Sequence, residues 1–231
     1  MKLNSSKTQT LLVSRSRTNE PPHPPLCVNN TLLSESQFLT ILGVTYDSRL
    51  TFEEHLSNVC ANAARKLGIV RKASYIYNDE EINATCFRTF VLPLLEYCPP
   101  IWMSASARDL SLLDKVARGG RFLFPGRANY DLDHRRAVSC LSLFHKLYFN
   151  RELPHAYMIP ESLPLARATR FADRQHPHAL CVPRCRTSQF QRSFLPWTVK
   201  QWNELPADKF HANLQVFKQR CNKYLQRDQR S

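Results

Sequence analysis

The sequence predicts an α+β fold that is mainly α-helical: a small antiparallel strand unit, a helical thumb-like bundle, a basic extended linker and a C-terminal helix. Three observations carry this. Before residue 52, short apolar runs sit between Pro, Asn and Gly turn signals, as strands do. Between 53 and 153, apolar residues recur at helical spacing behind capping residues. From 154 to 192, Pro and Arg dominate and that periodicity stops, to resume towards the C-terminus. The predicted units are therefore 1–52, 53–153, 154–192 and 193–231.

The elements follow in order. Thr10 to Val13 is a strand-like run, and the NEPPHPP segment at 19–25 is a stiff loop. Residues 26–34 predict a further strand with a turn at Asn29-Asn30. Ile41, Leu42 and Val44 are strand-like around Gly43, whose missing Cβ allows a bulge or close backbone approach. Asp47-Ser48 makes a turn. Thr51 and Glu54 are spaced as a capping box, S/T-x-x-E, for the first long helix. Leu56, Val59, Cys60, Ala63, Leu67 and Val70 form its apolar stripe, with Arg65, Lys66, Arg71 and Lys72 mostly off it.

Asp79 caps a second helix with Ile82, Cys86, Phe87, Phe90 and Val91 inward, and Pro93 kinks or ends it. An apolar patch at 94–102 carries Tyr97 and Trp102, rings that serve either a core or base stacking. A third helix from Ser106 or Ala107 turns Leu110, Leu113, Val116 and Ala117 inward. It ends near Gly119-Gly120 with Lys115, Arg118, Arg121 and Arg127 as a basic end. Asp131 or Asp133 caps a fourth, with Val138, Leu141, Phe144, Leu147 and Tyr148 inward and Arg135, Arg136 and Lys146 facing elsewhere. Arg167, Arg170, Arg174, Arg184, Arg186 and Arg192 make 154–192 the most basic segment, read as a linker that orders on RNA or DNA. Phe190, Phe194, Trp197, Val199, Trp202 and Leu205 anchor a short helix to the body. Asn213 caps the last helix, with Leu214, Phe217, Cys221, Tyr224 and Leu225 on one face.

Composition narrows the function classes. The chain has 231 residues and a net charge of +13, which favours a polyanionic partner through phosphate neutralisation; a basic protein without nucleic acid is the plainer alternative. Five Gly against 15 Pro argue against a glycine-rich nucleotide-binding fold, and no P-loop or dinucleotide fingerprint occurs. No Asp-Asp pair exists among the scattered aspartates, so a carboxylate hairpin for two-metal phosphoryl transfer is lacking. His134, His145 and His155 have no Ser or Cys nucleophile arrangement around them. His176, His178, Cys181 and Cys185 have zinc-type chemistry, yet all fall within ten residues and fit no standard finger, so no metal is assigned. The eight cysteines show no secreted-protein framework. With no sustained apolar run after Met1-Lys2-Leu3, they read as reduced thiols of an intracellular protein, nuclear or cytoplasmic. Prolines at 93, 99 and 100 make 87–102 a poor membrane span.

LGVTYDSRLTFEEHL at 42–56, followed by a basic helix, resembles the region just after the catalytic palm in reverse transcriptases of non-LTR (LINE-type, jockey-like) retrotransposons. LLEYCPPIW at 94–102 and LDHRRAVSCLSLFHKLYF at 132–149 fit the same family. So do HPHALCVPRCRTSQFQRSFLPWTVKQWNELP at 176–206 and NLQVFKQRCNKYL at 213–225. The resemblance covers nearly the whole chain and lies in the order of segments. It implies that Leu42, Gly43 and Val44 match the primer grip, that thumb helices follow, and that Lys7 in LNSSKT matches a lysine near the incoming nucleotide. It also implies that the catalytic hairpin and its Mg2+ ions belong to sequence before residue 1, leaving a C-terminal, non-catalytic portion that binds RNA, DNA or an RNA–DNA hybrid. Lys66, Arg71, Lys72, Arg118 and Arg121 are the phosphate-contact candidates. Two alternatives stand beside this: a host nucleic-acid-binding or protein-interaction module, and a non-functional element remnant.

Overall fold

Short hairpins precede helices in the computed structural model, which describes residues 4, 7–14, 24–28, 30–120, 123, 131–163 and 176–228. The fold is α+β and mainly helical. Strands β1 (Cys27–Val28) and β2 (Thr31–Leu32) pair across a turn with Asn30 at φ 60°. Strands β3 (Phe38–Ile41) and β4 (Val44–Asp47) pair from Phe38↔Asp47 to Ile41↔Val44. Their two-residue connection, Leu42-Gly43, has positive φ at both positions, 49° and 83°. That conformation matches the twist of a hairpin. Gly43 therefore reverses the chain; it is not a bulge within a strand. The Thr10–Val13 run adds only a bridge, from Thr10 to Glu35.

Helix α1 (Glu53–Tyr77) starts differently from the expected capping box. Glu54 accepts from the Asn58 amide side chain, and Phe52, at φ 60°, gives no side-chain cap. Of the helix amides, the Thr51 hydroxyl reaches only that of Glu53, at 3.5 Å, and the carboxylate of Asp47, at the end of β4, orders the turn just before the helix. Its Oδ1 accepts from the amides of Arg49 (2.9 Å) and Thr51 (3.1 Å), and its Oδ2 from the Thr51 hydroxyl (3.0 Å) and the Phe52 amide (2.8 Å). Phe52 is thereby turned into the core, edge-on to Tyr46.

Asp79 caps α2 (Glu80–Cys86) as expected, accepting from the amides of Glu81 and Ile82. A π-turn over Phe87–Val91 follows, closed by the Leu92 amide on Phe87 O, and α3 (Leu92–Leu95) carries Pro93. Proline cannot donate four residues back, and the wider ring absorbs the misfit. The extra residue changes the helical phase beyond Phe87, so Val91 is buried while Phe90, expected inward, is exposed; Ile82, also expected inward, is exposed on α2 before the π-turn. In α4 (Pro99–Trp102) the Trp102 ring is core and its Nε1 donates to Tyr97 O, so it is not a stacking platform. Helix α5 (Ala107–Gly120) is capped by the Ser106 hydroxyl, which accepts from the Asp109 amide. Gly120 lies so close to the Phe87 ring that a Cβ would overlap it.

Asp131 caps α6 (Leu132–Phe149) through the amides of Asp133 and His134. Arg136, expected to face outward, is instead buried, 4% exposed, with Nη2 on Asp114 (2.8 Å) and Asp133 (2.6 Å). The two carboxylates make its burial tolerable.

Two apolar clusters result. One joins Val44, Phe52 and α1–α5 to Leu132; the other joins α6 to the C-terminal part. The described parts of the expected extended linker, 154–163 and 176–192, pack on the body, because Ile159 and Leu180 are members of the second cluster; 164–175 lie outside the described residues. These parts hold a 3-10 turn (Ala156–Met158), a bridge between Ser162 and Leu180, and α7 (Ser188–Arg192). Helices α8 (Phe194–Glu204) and α9 (Leu214–Asp228) complete the chain, and the Asn213 side chain accepts from the Gln215 and Val216 amides. Trp202 of α8 is fully buried among Phe144, Tyr148, Phe210 and Phe217. Its Nε1 donates to His178 O (2.9 Å), while Asn203 accepts from the Leu180 amide (2.9 Å) and donates to Leu180 O (2.8 Å). A side-chain amide here imitates a strand partner for a buried residue.

Asn203→Ala removes both bonds and leaves the Leu180 amide unpaired, so a loss of about 2–3 kcal/mol is expected in urea unfolding; an unchanged midpoint would refute this role. Burial tends to raise the Asp47 pKa, but the amides of Thr51, Phe52 and Arg49 and the Thr51 hydroxyl hold it below the ordinary 3.8. A depressed folded pKa gives stability that is present above 3.8 and is lost as pH falls through the folded value. Thermal melts from pH 5 to 2 should show this acid loss in the wild type and a smaller one in Asp47→Ala.

Candidate nucleic-acid interface

The phosphate candidates lie on helices whose packing sets their relations. Helix α5 lies alongside α1 and runs in the same direction. Ser106 and Asp109 line a small cavity with Thr51 and Glu53 at one end, and Gly119 meets Leu67 and Arg71 at the other. Arg71 Nη2 donates to Gly119 O at 2.8 Å. This satisfies a carbonyl of the last turn of α5, where cations also complement the helix dipole. Arg118 projects from the same turn and is exposed, as is Lys115 one turn earlier. The α1–α5 packing therefore brings Arg71 and Arg118 together across 47 positions of sequence.

Lys66 and Lys72 are exposed too, but not side by side with each other. The helical period sets them about 120° apart on α1. Lys72 shares the outermost face with Arg65, and Lys66 lies nearer the buried stripe of Leu56, Ala63, Leu67 and Val70. The four of these cations that the structure describes, Lys66, Arg71, Lys72 and Arg118, thus form a curved surface and not a single row. Arg121 lies outside the described residues, as do Arg127, Arg167, Arg170 and Arg174.

The sequence pattern did not single out the far end of α1. This helix buries nothing fully after Val70, and its last two turns project with Tyr75 88% and Ile76 78% exposed. Arg65, Ile69, Lys72 and Ile76 repeat at helical spacing along the outer face. The available signal was the break in the apolar stripe after Val70.

The hairpin tip is built as a fixed projection. Leu42 is 87% exposed at its positive φ, whereas Val44 is buried at 1%. The Tyr97 hydroxyl donates to Leu42 O (2.8 Å), which holds the tip against the start of the apolar 94–102 segment. Lys7 is exposed in an N-terminal segment tied to the hairpin side, with Ser14 N–H donating to Ser48 O.

The zinc-type residues serve other contacts. His176 Nε2 is paired with Trp202 O (3.1 Å) and its Nδ1 accepts from the His178 amide (3.1 Å), so both ring nitrogens are engaged. Burial lowers its pKa, in keeping with the neutral ring this pairing requires. His178 Nδ1 meets the Tyr148 hydroxyl, and the thiols of Cys181 and Cys185 turn to backbone carbonyls. Among the described residues no group of three or more His, Cys, Asp or Glu is placed to hold a metal. The described aspartate side chains have structural partners: Asp47 closes the turn 47–52, Asp79 and Asp131 cap helices, Asp109 meets Ser106, Asp114 and Asp133 hold Arg136, and Asp208 meets Lys209. Those carboxylates do not fit the Mg2+ chemistry of a polymerase centre.

All eight cysteines are free, and burial pushes the Cys140 and Cys221 thiols up to about 12, which makes them inert core residues. No helix among the described residues is long and apolar enough to cross a membrane. Comparison with protein-family models, with curated proteins and with solved structures gives no match to this chain.

Leu42 occupies a turn position suited to Asn or Gly. Leu42→Asn should therefore raise the thermal midpoint, by an amount corresponding to about 0.5–1 kcal/mol. A lower midpoint would mean that the leucine side chain holds the tip.

Proposed function

We propose that this chain is the post-palm, thumb-and-tail portion of a non-LTR reverse transcriptase and that it grips a template–primer duplex through phosphates, without performing bond chemistry. The observation that carries this is the meeting of Arg71 and Arg118 at the paired ends of α1 and α5, with Lys66 and Lys72 close by on α1. In a chain of net charge +13, such a surface suits a phosphodiester backbone, and contacts of this kind position a duplex without reading its sequence. The segment resemblance supplies the orientation. The Leu42-Gly43-Val44 hairpin would align the primer end, a task of placement. A projecting tip pinned by Tyr97 supports that part of the reading. Tyr75, beyond the cations, is available to stack on an unpaired base at the duplex edge.

The test is fluorescence anisotropy with a short RNA–DNA hybrid over a salt series. Wild-type protein should bind saturably, with a steep salt slope. Replacing Lys66, Arg71, Lys72, Arg118 and Arg121 by Gln should flatten the slope by about 0.9 for every phosphate that is no longer neutralised. Absence of binding at low salt, or an unchanged slope in a folded variant, would overturn the reading.

A further inference from the structure

A second basic surface lies far along the chain from α1 and α5. Helices α6 and α9 leave between them a groove of about 750 Å³. Its α6 wall runs from Arg135 to Lys146, about 16 Å at 1.5 Å per residue. Four cations line it, Arg135, Arg136, Lys146 and Lys218, against one carboxylate, Glu96. The charges of both arginines are already met by carboxylates. Arg135 chelates Glu96, and Arg136 holds Asp114 and Asp133. Lys146 and Lys218 are exposed and make no ion pair among the described residues. Beside them stand Ser139, Gln215, Gln219 and Asn222. Asn222 Oδ1 pairs with His134 Nε2 (2.6 Å), which leaves the Nδ2 of that amide as a donor.

We infer that this groove is a track for the sugar–phosphate backbone of a single nucleic-acid strand, separate from the α1–α5 surface. Three features select that occupant. The free cations are lysines, point charges suited to phosphate, whereas the Arg135 fork, which would best match a carboxylate, is taken and Arg136 is buried against two carboxylates. Hydroxyl and amide side chains complete the set of groups that ordinarily contact phosphates. A furrow between two helices packed about 8–10 Å apart admits a strand and excludes a duplex. The described lining has no aromatic ring, so bases are not stacked and binding is indifferent to sequence.

The experiment is anisotropy with oligouridylate, an RNA–DNA hybrid and polyglutamate as probes, on wild type, Lys146→Gln/Lys218→Gln and Gln219→Trp. The double variant should bind oligouridylate about 25-fold more weakly at 0.1 M salt, with a salt slope smaller by about 1.4, and should bind the hybrid as before. Gln219→Trp, which fills the furrow without changing charge, should weaken oligouridylate alone. Circular dichroism melts confirm that both variants fold. Unchanged oligouridylate binding in both variants overturns the inference, as does a wild type that binds hybrid but no single strand. Polyglutamate binding that the same substitutions remove, with RNA unaffected, also overturns it and assigns the groove to an acidic protein. None of these results alters the hybrid-binding test of the α1–α5 surface.

Discussion

One carboxylate organises the junction on which the candidate surface depends. Asp47 closes four hydrogen bonds over the turn 47–52 and so holds two residues, Leu50 and Phe52, in the left-handed region at φ 53° and 60°. Left-handed backbone at a branched or aromatic residue persists only where surroundings over-determine it. Here the surroundings are the carboxylate on one side and the Tyr46 ring and apolar core on the other. The same turn receives the C-terminal part of the molecule, because Gln189 Nε2 donates to both Arg49 O (2.9 Å) and Leu50 O (2.8 Å). Hairpin, α1 and α7 thus converge on six residues, and the direction in which Leu42 and the α1 cations project follows from that convergence.

Much of this was legible in the sequence, for physical reasons that differ by element. Asp79, Asp131 and Asn213 announced their helices because a capping side chain acts within three residues, a distance a sequence displays. The stripe Leu56-Ala63-Leu67-Val70 announced α1 for the same local reason. The misreadings involve partners farther off. Thr51 and Glu54 had the spacing of a capping box, but of the helix amides Thr51 reaches only that of Glu53, Glu54 turns to Asn58, and the turn before the helix is held by Asp47. Gly43 was open to a bulge or a close backbone approach, since nothing local says that Leu42 will share its positive φ. Arg136 looked solvent-facing because its Asp114 partner lies on another helix.

The segment 154–192 shows the limit most clearly. Its prolines and arginines suppress apolar periodicity, yet Leu180 is fully buried because Asn203 and Trp202, some twenty residues later, supply hydrogen bonds and rings. The same packing explains the clustering of His176, His178 and Cys181. The imidazoles pair with Trp202 O and the Tyr148 hydroxyl, a structural task that local spacing alone makes resemble metal ligation. Of the candidate interface, the identity of the cations was legible, whereas their division between two faces of α1 and the end of α5 was not. Helical phase and the packing of α5 on α1 decide that division.

The measurement that tests the central claim most directly is lysine-reactivity footprinting of the protein bound to an RNA–DNA hybrid, read by mass spectrometry. Protection of Lys66, Lys72 and Lys115, with Lys200 on α8 as reactive as in the free protein, is the predicted result. Equal reactivity of Lys66, Lys72 and Lys115 with and without saturating hybrid would contradict a grip at the paired ends of α1 and α5.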